Sequence, residues 1–341
     1  MINKIIDNLE NSIIKRDEIV FLLKTNDPYQ LFKRANKIRK RYVTDAIHLR
    51  GIIEFSNYCR RKCLYCGIQA QNSNVKRYRI EPDDIIQIAK DSIPLGYKTI
   101  VLQSGEDNYY TDEMICHIVR EIKKFDFAVT LSIGEKSYEQ FELYKEAGAD
   151  RYLLKHETSE LKLYKALNPN MSFEDRIRCH KDLKELGYEV GSGIMVGLPN
   201  QSLESIADDI IFFKKMDYDM IGISPFIPHQ DTVLKDTEII PLEFVKKVVA
   251  ITRVVMPDTN LPVTTAYSTL NNNSGREEML QVGANVIMPN ITPVKYKVKY
   301  ELYPNKVCLS EEAEVCSACL EGRIASIGRT ISKEYGFRIK T

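Results

Sequence analysis

The sequence predicts an α/β fold: a (β/α)8 TIM-type barrel with N-terminal helices and a C-terminal cysteine-containing extension. Three observations predict it. From residue 50 onward, short β-branched runs alternate with longer stretches of helical periodicity, the pattern of repeated βα units around a parallel sheet. There are eight such runs, which suits a closed barrel better than a six-stranded doubly wound sheet. Gly96 in LGYKTIV and Gly148 in EAGADRY stand between helix and strand, as in the short connections such units use.

The expected strands are Gly51–Phe55, Thr99–Gln103, Ala128–Ser132, Arg151–Leu154, Glu189–Val196, Met220–Ile223, Pro262–Thr265 and Asn285–Met288. YEQFELYKEAGA and EFVKKVVAITRVV read as helices between them. Ser172 is placed to cap the helix FEDRIRCHKDLKE, Glu174 and Asp175 suit its positive end, and Gly187 suits its stop. Residues 1–45 read as helical, with a break near Pro28. The barrel is expected over 46–304, and 305–341 holds further cysteines and then a basic helical tail, all packed as one domain.

The 341 residues carry 48 Lys and Arg against 47 Asp and Glu, so overall charge gives no support for nucleic acid or a membrane surface as partner. The N-terminal MINKIIDNLENSIIKRDEIVFLL is interrupted by charges, unlike a signal peptide or a membrane span. A cytoplasmic location is therefore expected. In that compartment clustered cysteines bind metal or do redox chemistry more often than they pair.

Three of the eight cysteines, Cys59, Cys63 and Cys66, lie in SNYCRRKCLYCG, directly after the first strand. In a barrel this loop belongs to the C-terminal face, where active sites sit. An odd count leaves one cysteine without a disulfide partner. A structural zinc site wants four closed ligands, whereas three thiolates on a cluster leave one iron open. Tyr65 precedes the last cysteine and is placed to cover a flat ring, or to serve as an ordinary half-buried loop residue.

Cys-x3-Cys-x2-Cys with an aromatic before the last cysteine, after the first barrel strand, resembles the radical S-adenosylmethionine (SAM) superfamily. The resemblance implies a [4Fe-4S] cluster on Cys59, Cys63 and Cys66. It also implies SAM chelated to the fourth iron and cleaved reductively to a 5′-deoxyadenosyl radical. The segment Gln103, Ser104, Gly105, Glu106 resembles the one that receives the cofactor's amino group, with Ser104 in place of a first glycine. Ser132, Glu157 and Arg176 are expected near the ribose and carboxylate, since a guanidinium can clamp a carboxylate with two bonds. Gly191 to Pro199, with Met195, resembles the strand that faces adenine. Tyr300 is expected to bond cofactor or substrate, with a core position as the alternative.

RGIIEFSNYCRRKCLYCG, TIVLQSGED, DRYLLKHET, MVGLPNQS, GISPFIPHQDT, TTAYST and ANVIMPN resemble one family of [FeFe]-hydrogenase maturases, in the branch that also holds biotin synthase and methylornithine synthase. This implies a radical acting on sulfur in a cysteine-derived Fe(CO)2(CN) precursor. It also implies a ferredoxin or flavodoxin as electron donor and the other hydrogenase maturases as partners. Thr264, Thr265 and His229 are the expected contacts of the small-molecule or organometallic substrate, with a capped loop histidine as the alternative for His229. Cys308, Cys316 and Cys319 imply an auxiliary [2Fe-2S] or [4Fe-4S] cluster, with zinc or free thiols as alternatives. Biotin synthase needs further cysteines inside the barrel, whereas Cys116 and Cys179 fall in expected helices. Where an arginine is expected before His-Glu-Thr this chain has Lys155. Competing readings are a methylornithine synthase-like or biotin synthase-like radical enzyme, and a metal-binding scaffold without catalysis.

Overall fold

The computed structural model describes residues 1–11 and 13–341. Its strands are β1 (Ala46–Ser56), β2 (Thr99–Ser104), β3 (Ala128–Ser132), β4 (Arg151–Leu153), β5 (Glu189–Val196), β6 (Met220–Pro225), β7 (Pro262–Val263), β8 (Val286–Ile287) and β9 (Thr330–Ile331). The first eight are those expected from the sequence. They run β6-β5-β4-β3-β2-β1-β8-β7 around a nearly closed barrel, and every pairing is parallel. The seam between β6 and β7 is drawn together by a single bridge, Met220 to Asn260, where Ile221 N donates to Asn260 O at 2.9 Å. β7 is shorter than expected because Thr264 already caps the helix Thr265–Leu270.

Local rules account for the wall. Ser172 Oγ accepts from Asp175 N at 3.1 Å, starting the helix Phe173–Glu185, and Gly187 ends it with φ +75°, a conformation that costs a side chain-bearing residue more than glycine. Gly193 on β5 is needed for a different reason: a Cβ there would overlap Gly222 O on β6 and come 2.9 Å from the Lys155 side chain. The helix Leu242–Val255 is buried over most of its surface because it is covered twice, by the barrel inside and by Arg16–Lys24 and Tyr29–Val43 outside. The Lys247 ammonium on its outer side donates to Leu23 O at 2.6 Å and Thr25 O at 3.0 Å. Among the described residues no helix is long and apolar enough to cross a membrane.

The basic helical tail expected at the C-terminus is not formed. The helix Ala313–Ser326 carries Cys316 and Cys319, but the chain beyond it is extended. β9 lies parallel to Ala46 and Ile47 of β1, and the residues after it run under the barrel. Tyr335 O accepts from Thr99 Oγ1 at 3.0 Å and Arg151 Nη2 at 2.9 Å. Gly336 O accepts from Arg50 Nη2 at 2.9 Å and Asn260 Nδ2 at 3.2 Å. Arg338 pairs with Asp217 and Asp258, each at 2.7 Å. Buried donors at the strand bases need acceptors, and an extended strip offers the carbonyls that a helix would have used internally. The tail closes the floor, so the open end of the barrel is the one bearing the first cysteine loop.

Candidate active site

The loop after β1 is tied to the barrel on several sides. Arg60 N donates to Glu106 O at 3.0 Å, Leu64 N to Leu167 O at 2.9 Å, and Gly67 N to Leu302 O at 2.9 Å. Gly105 lets β2 pass close beneath it: a Cβ there would overlap Tyr58 O and come 2.7 Å from Cys59 Cβ. Cys59, Cys63 and Cys66 are all half-buried. Burial raises the Cys59 and Cys66 thiols above their ordinary value and pushes Cys63 up to about 11. Three thiolates here therefore want a metal's positive charge, which coordination supplies. Among the described residues no three His, Cys, Asp or Glu converge as on a single metal ion. Three cysteines that each hold a different iron of a cluster fit this donor set.

Below the loop lies a cavity of about 330 Å³. Tyr65, Cys66, Gln103, Glu157, Met195, Thr264 and Thr265 line it, so one chamber receives a cluster ligand, several expected cofactor contacts and both expected substrate threonines. Tyr65 Oη donates to Asn168 Oδ1 at 3.0 Å, which fixes its ring beside an apolar cluster of Leu163, Leu167, Met195, Leu198 and Phe226. That surface suits a flat heterocycle. Glu157 holds φ +64°, a strained backbone for a glutamate, and its side chain pairs with Lys155 at 2.9 Å. Its backbone extends β5 sideways, with Glu157 N donating to Gly193 O and Met195 N to Glu157 O. His156, between these two residues, faces the wall, where its Nδ1 sits 2.8 Å from Ser192 Oγ. Next to it, burial pushes His180 down to about 3. Both imidazoles are neutral core groups.

Other expected contacts are already engaged. Both oxygens of Glu106 are taken, Oε2 by Arg60 Nε at 3.1 Å and Arg61 Nε at 2.6 Å, and Oε1 by Glu135 N at 3.1 Å. Arg176 Nε donates to Glu135 Oε1 at 2.8 Å and its Nη1 to Lys155 O, and its Nη2 makes no hydrogen bond among the described residues. Ser104 Oγ donates to Gly105 O at 2.7 Å, and Ser132 ends β3 half-buried, in register with Gln103. Tyr300 is fully buried behind Gln103, whose Nε2 donates to its Oη at 3.4 Å. His229 does not join Thr264 and Thr265. It is buried in a separate cup with Asn72, Lys76 and Lys299, where its ring packs where a Cβ on Gly67 would be.

Sequence reasoning missed Glu135, Glu54 and Lys306. Glu135 links Arg61, at 2.7 Å, to Arg176. Glu54 and Lys306 form an ion pair whose side chains are only 4 and 6% exposed, with Asn290 Nδ2 donating to the other Glu54 oxygen at 2.6 Å. A charged residue within GIIEF was a signal for Glu54. Nothing local marked Lys306, which reaches the cavity from the C-terminal extension.

Lys306, Thr265 and Met288 also line a second cavity of about 230 Å³ that contains Cys308, Cys316 and Cys319. Cys308 has φ +59°. Its thiol is held well below the ordinary value by a hydrogen bond from Cys316 and by Arg276, whose Nη2 lies 3.3 Å from its sulfur. Cys316 is raised in turn, first by Cys308, and Cys319 is exposed. Cys116 and Cys179 are buried in helices as expected.

Residues 53–213 match the model of the Radical SAM superfamily, and residues 223–307 that of the Biotin and Thiamin Synthesis associated domain. The chain is 48% identical over 338 residues to the [FeFe] hydrogenase maturase subunit HydE of Thermotoga maritima, covering 98% of this chain and 97% of that one. It is 28% identical over 295 residues to 3-methylornithine synthase of Methanosarcina acetivorans, covering 83% and 81%. Among solved structures, methylornithine synthase superposes with a TM-score of 0.83 at 23% identity over 96% of this chain and 97% of that one. The maturase HydG reaches 0.83 at 20% identity over 98% and 76%. At those identities the two likenesses establish the barrel fold.

Proposed function

The chain belongs to the radical SAM enzymes, in the family of the [FeFe] hydrogenase maturase subunit HydE, and on that premise we propose how its residues divide the work of building the hydrogenase diiron subcluster. The observation that carries the reading is the shared chamber: Cys66, Tyr65, Thr264 and Thr265 all line one cavity. A [4Fe-4S] cluster held by Cys59, Cys63 and Cys66 supplies, when present, the electron that splits SAM into methionine and a 5′-deoxyadenosyl radical. Glu106 and Glu135 hold Arg60, Arg61 and Arg176 in place, which fixes the cysteine loop against the helix that carries Arg176. Arg176 Nη2 then takes one carboxylate oxygen of the cofactor, and Glu157 with Ser132 takes the ribose hydroxyls. Tyr65 and Met195 cover the base.

Thr264 and Thr265 share the chamber wall with Lys155 and Lys306, two cations that now hold Glu157 and Glu54. That wall suits an anionic, sulfur-bearing iron carbonyl–cyanide precursor, whose sulfur the radical attacks. The charged partners inside the chamber are paired, Lys155 with Glu157 and Lys306 with Glu54, and a bound cofactor and substrate would displace water from it. Apart from Cys66, no cysteine among the described residues lines the chamber, which speaks against a sacrificial cluster of the biotin synthase kind. The family's auxiliary cysteines, Cys308, Cys316 and Cys319, are assigned a second iron–sulfur cluster beside the chamber. The proposed setting is the cytoplasm, with a soluble electron donor.

The test is restoration of [FeFe]-hydrogenase activity in a strain lacking its HydE-type maturase. Restoration by the intact chain, and none by Cys66→Ala, is expected. Formation of methylornithine from lysine by the reduced, reconstituted protein would instead move it to the neighbouring activity.

A further inference from the structure

Residues 55–80, which contain all three cysteines of the first triplet, carry Arg60, Arg61, Lys62, Lys76, Arg77 and Arg79 and no Asp or Glu. In a chain with a net charge of only +1, this is a local concentration of one sign. Arg60, Arg61 and Arg79 are matched by Glu106, Glu135 and Asp107, and Arg77 spends its guanidinium on carbonyls of its own loop. Lys62 and Lys76 remain exposed, and neither makes an ion pair among the described residues. Half-buried Lys299 is tied to the same loop through its backbone: Asn57 Nδ2, two residues before Cys59, donates to Lys76 O at 3.0 Å and Lys299 O at 2.7 Å. Tyr58, 36% exposed, lies directly before Cys59, and the Arg79 guanidinium covers its ring at 3.8 Å. Two acids, Asp231 and Glu301, share the cup of Lys76 and Lys299; Asn74 holds Asp231 at 3.0 Å.

We infer that this outer face of the cysteine loop, with Lys62, Lys76 and Lys299 around Tyr58, is the docking surface for a small acidic one-electron carrier protein. The inference rests on the radical SAM reading, which requires an electron from outside. The chamber side of the loop faces cofactor and substrate and the floor is closed by the C-terminal strip, so the outer face is the approach that leaves both in place. Unmatched lysines around an exposed aromatic suit an acidic partner: the charges steer encounter, and the ring offers a contact of low entropic cost. In the step itself the reduced carrier loses one electron and the cluster gains it, with no bond made or broken.

The probe is a reduced, acidic low-potential ferredoxin, tested on the reconstituted protein by binding and by SAM cleavage. Reversal of the three charges (Lys62→Glu, Lys76→Glu, Lys299→Glu) is expected to weaken binding by on the order of tenfold or more and to flatten its salt dependence. Cleavage driven by dithionite should stay at the unmodified level. Neutralisation of the same lysines to Gln should give an intermediate loss, and Lys24→Glu, Lys33→Glu and Lys37→Glu on the N-terminal helices should give none. Binding that the first reversal leaves unchanged, with dithionite-driven cleavage intact, overturns the docking surface. Absence of dithionite-driven cleavage in the unmodified protein overturns the radical SAM reading beneath it.

Discussion

Cys59, Cys63 and Cys66 sit on a loop bonded to Glu106, Leu167 and Leu302, whereas Cys308, Cys316 and Cys319 are divided between a loop and the helix Ala313–Ser326 outside the barrel. The first set is raised in pKa by burial, and the second contains a thiol lowered by its neighbours. In the first region the fold prepares the site before any metal arrives, since the loop is braced by Gly105 and by the Glu106–Arg61–Glu135–Arg176 chain of ion pairs. In the second, one thiol is exposed and two lean on each other, so a bound cluster would contribute more of the order. Similar counts of cysteine therefore serve differently according to how the backbone around them is held.

The largest test of this contrast is removal of a ligand from the first set. Cys59→Ala or Cys66→Ala should abolish SAM cleavage and the reduced-cluster resonance in electron paramagnetic spectra. Persistence of either would remove the catalytic assignment. Next is the brace: Arg176→Ala leaves Glu135 short of a buried partner and removes the proposed cofactor contact. SAM affinity should fall by about 1.5–3 kcal/mol, while cluster absorbance is retained. Unchanged affinity would leave Arg176 as a support of Glu135 alone.

The thiols themselves give a pH-dependent readout in metal-free protein. Alkylation requires thiolate, whose fraction rises as pH passes the pKa. At pH 8 Cys63, with its pKa near 11, stays protonated, while Cys308 is ionised. Iodoacetamide should modify Cys308 at least about tenfold faster, and the gap should close as pH approaches 11. Equal rates at pH 8, read by peptide mass spectrometry, would mean the two environments are alike. The smallest effect belongs to exposed Cys319: Cys319→Ser should change dithionite-driven SAM cleavage by no more than about twofold, the range of a surface substitution.

How much of this was legible beforehand depended on the range of the interactions. All eight barrel strands, the Ser172 cap and the buried Cys116 and Cys179 follow from residues near one another in the chain, so periodicity and capping found them. The extended tail did not, because its conformation is decided by donors on Arg50, Thr99, Arg151 and Asn260, far away in sequence. His229 was set beside Thr264 and Thr265 on the strength of its loop, yet it packs against Gly67 in another cup. Glu106 was expected to meet the cofactor, and no spacing in the sequence marked that its carboxylate also holds the two arginines of the cysteine loop.

By itself the sequence determined the barrel, the three-cysteine loop at the end of its first strand and the absence of Asp and Glu within residues 55–80. These are properties of local pattern and spacing. Only the tertiary structure decided that Cys66, Thr264 and Thr265 share one chamber, that Lys306 enters it from the C-terminal extension, and that the tail closes the opposite end. The physical reason is that buried charges and backbone donors must find partners, and which partner is within reach is a property of the folded chain.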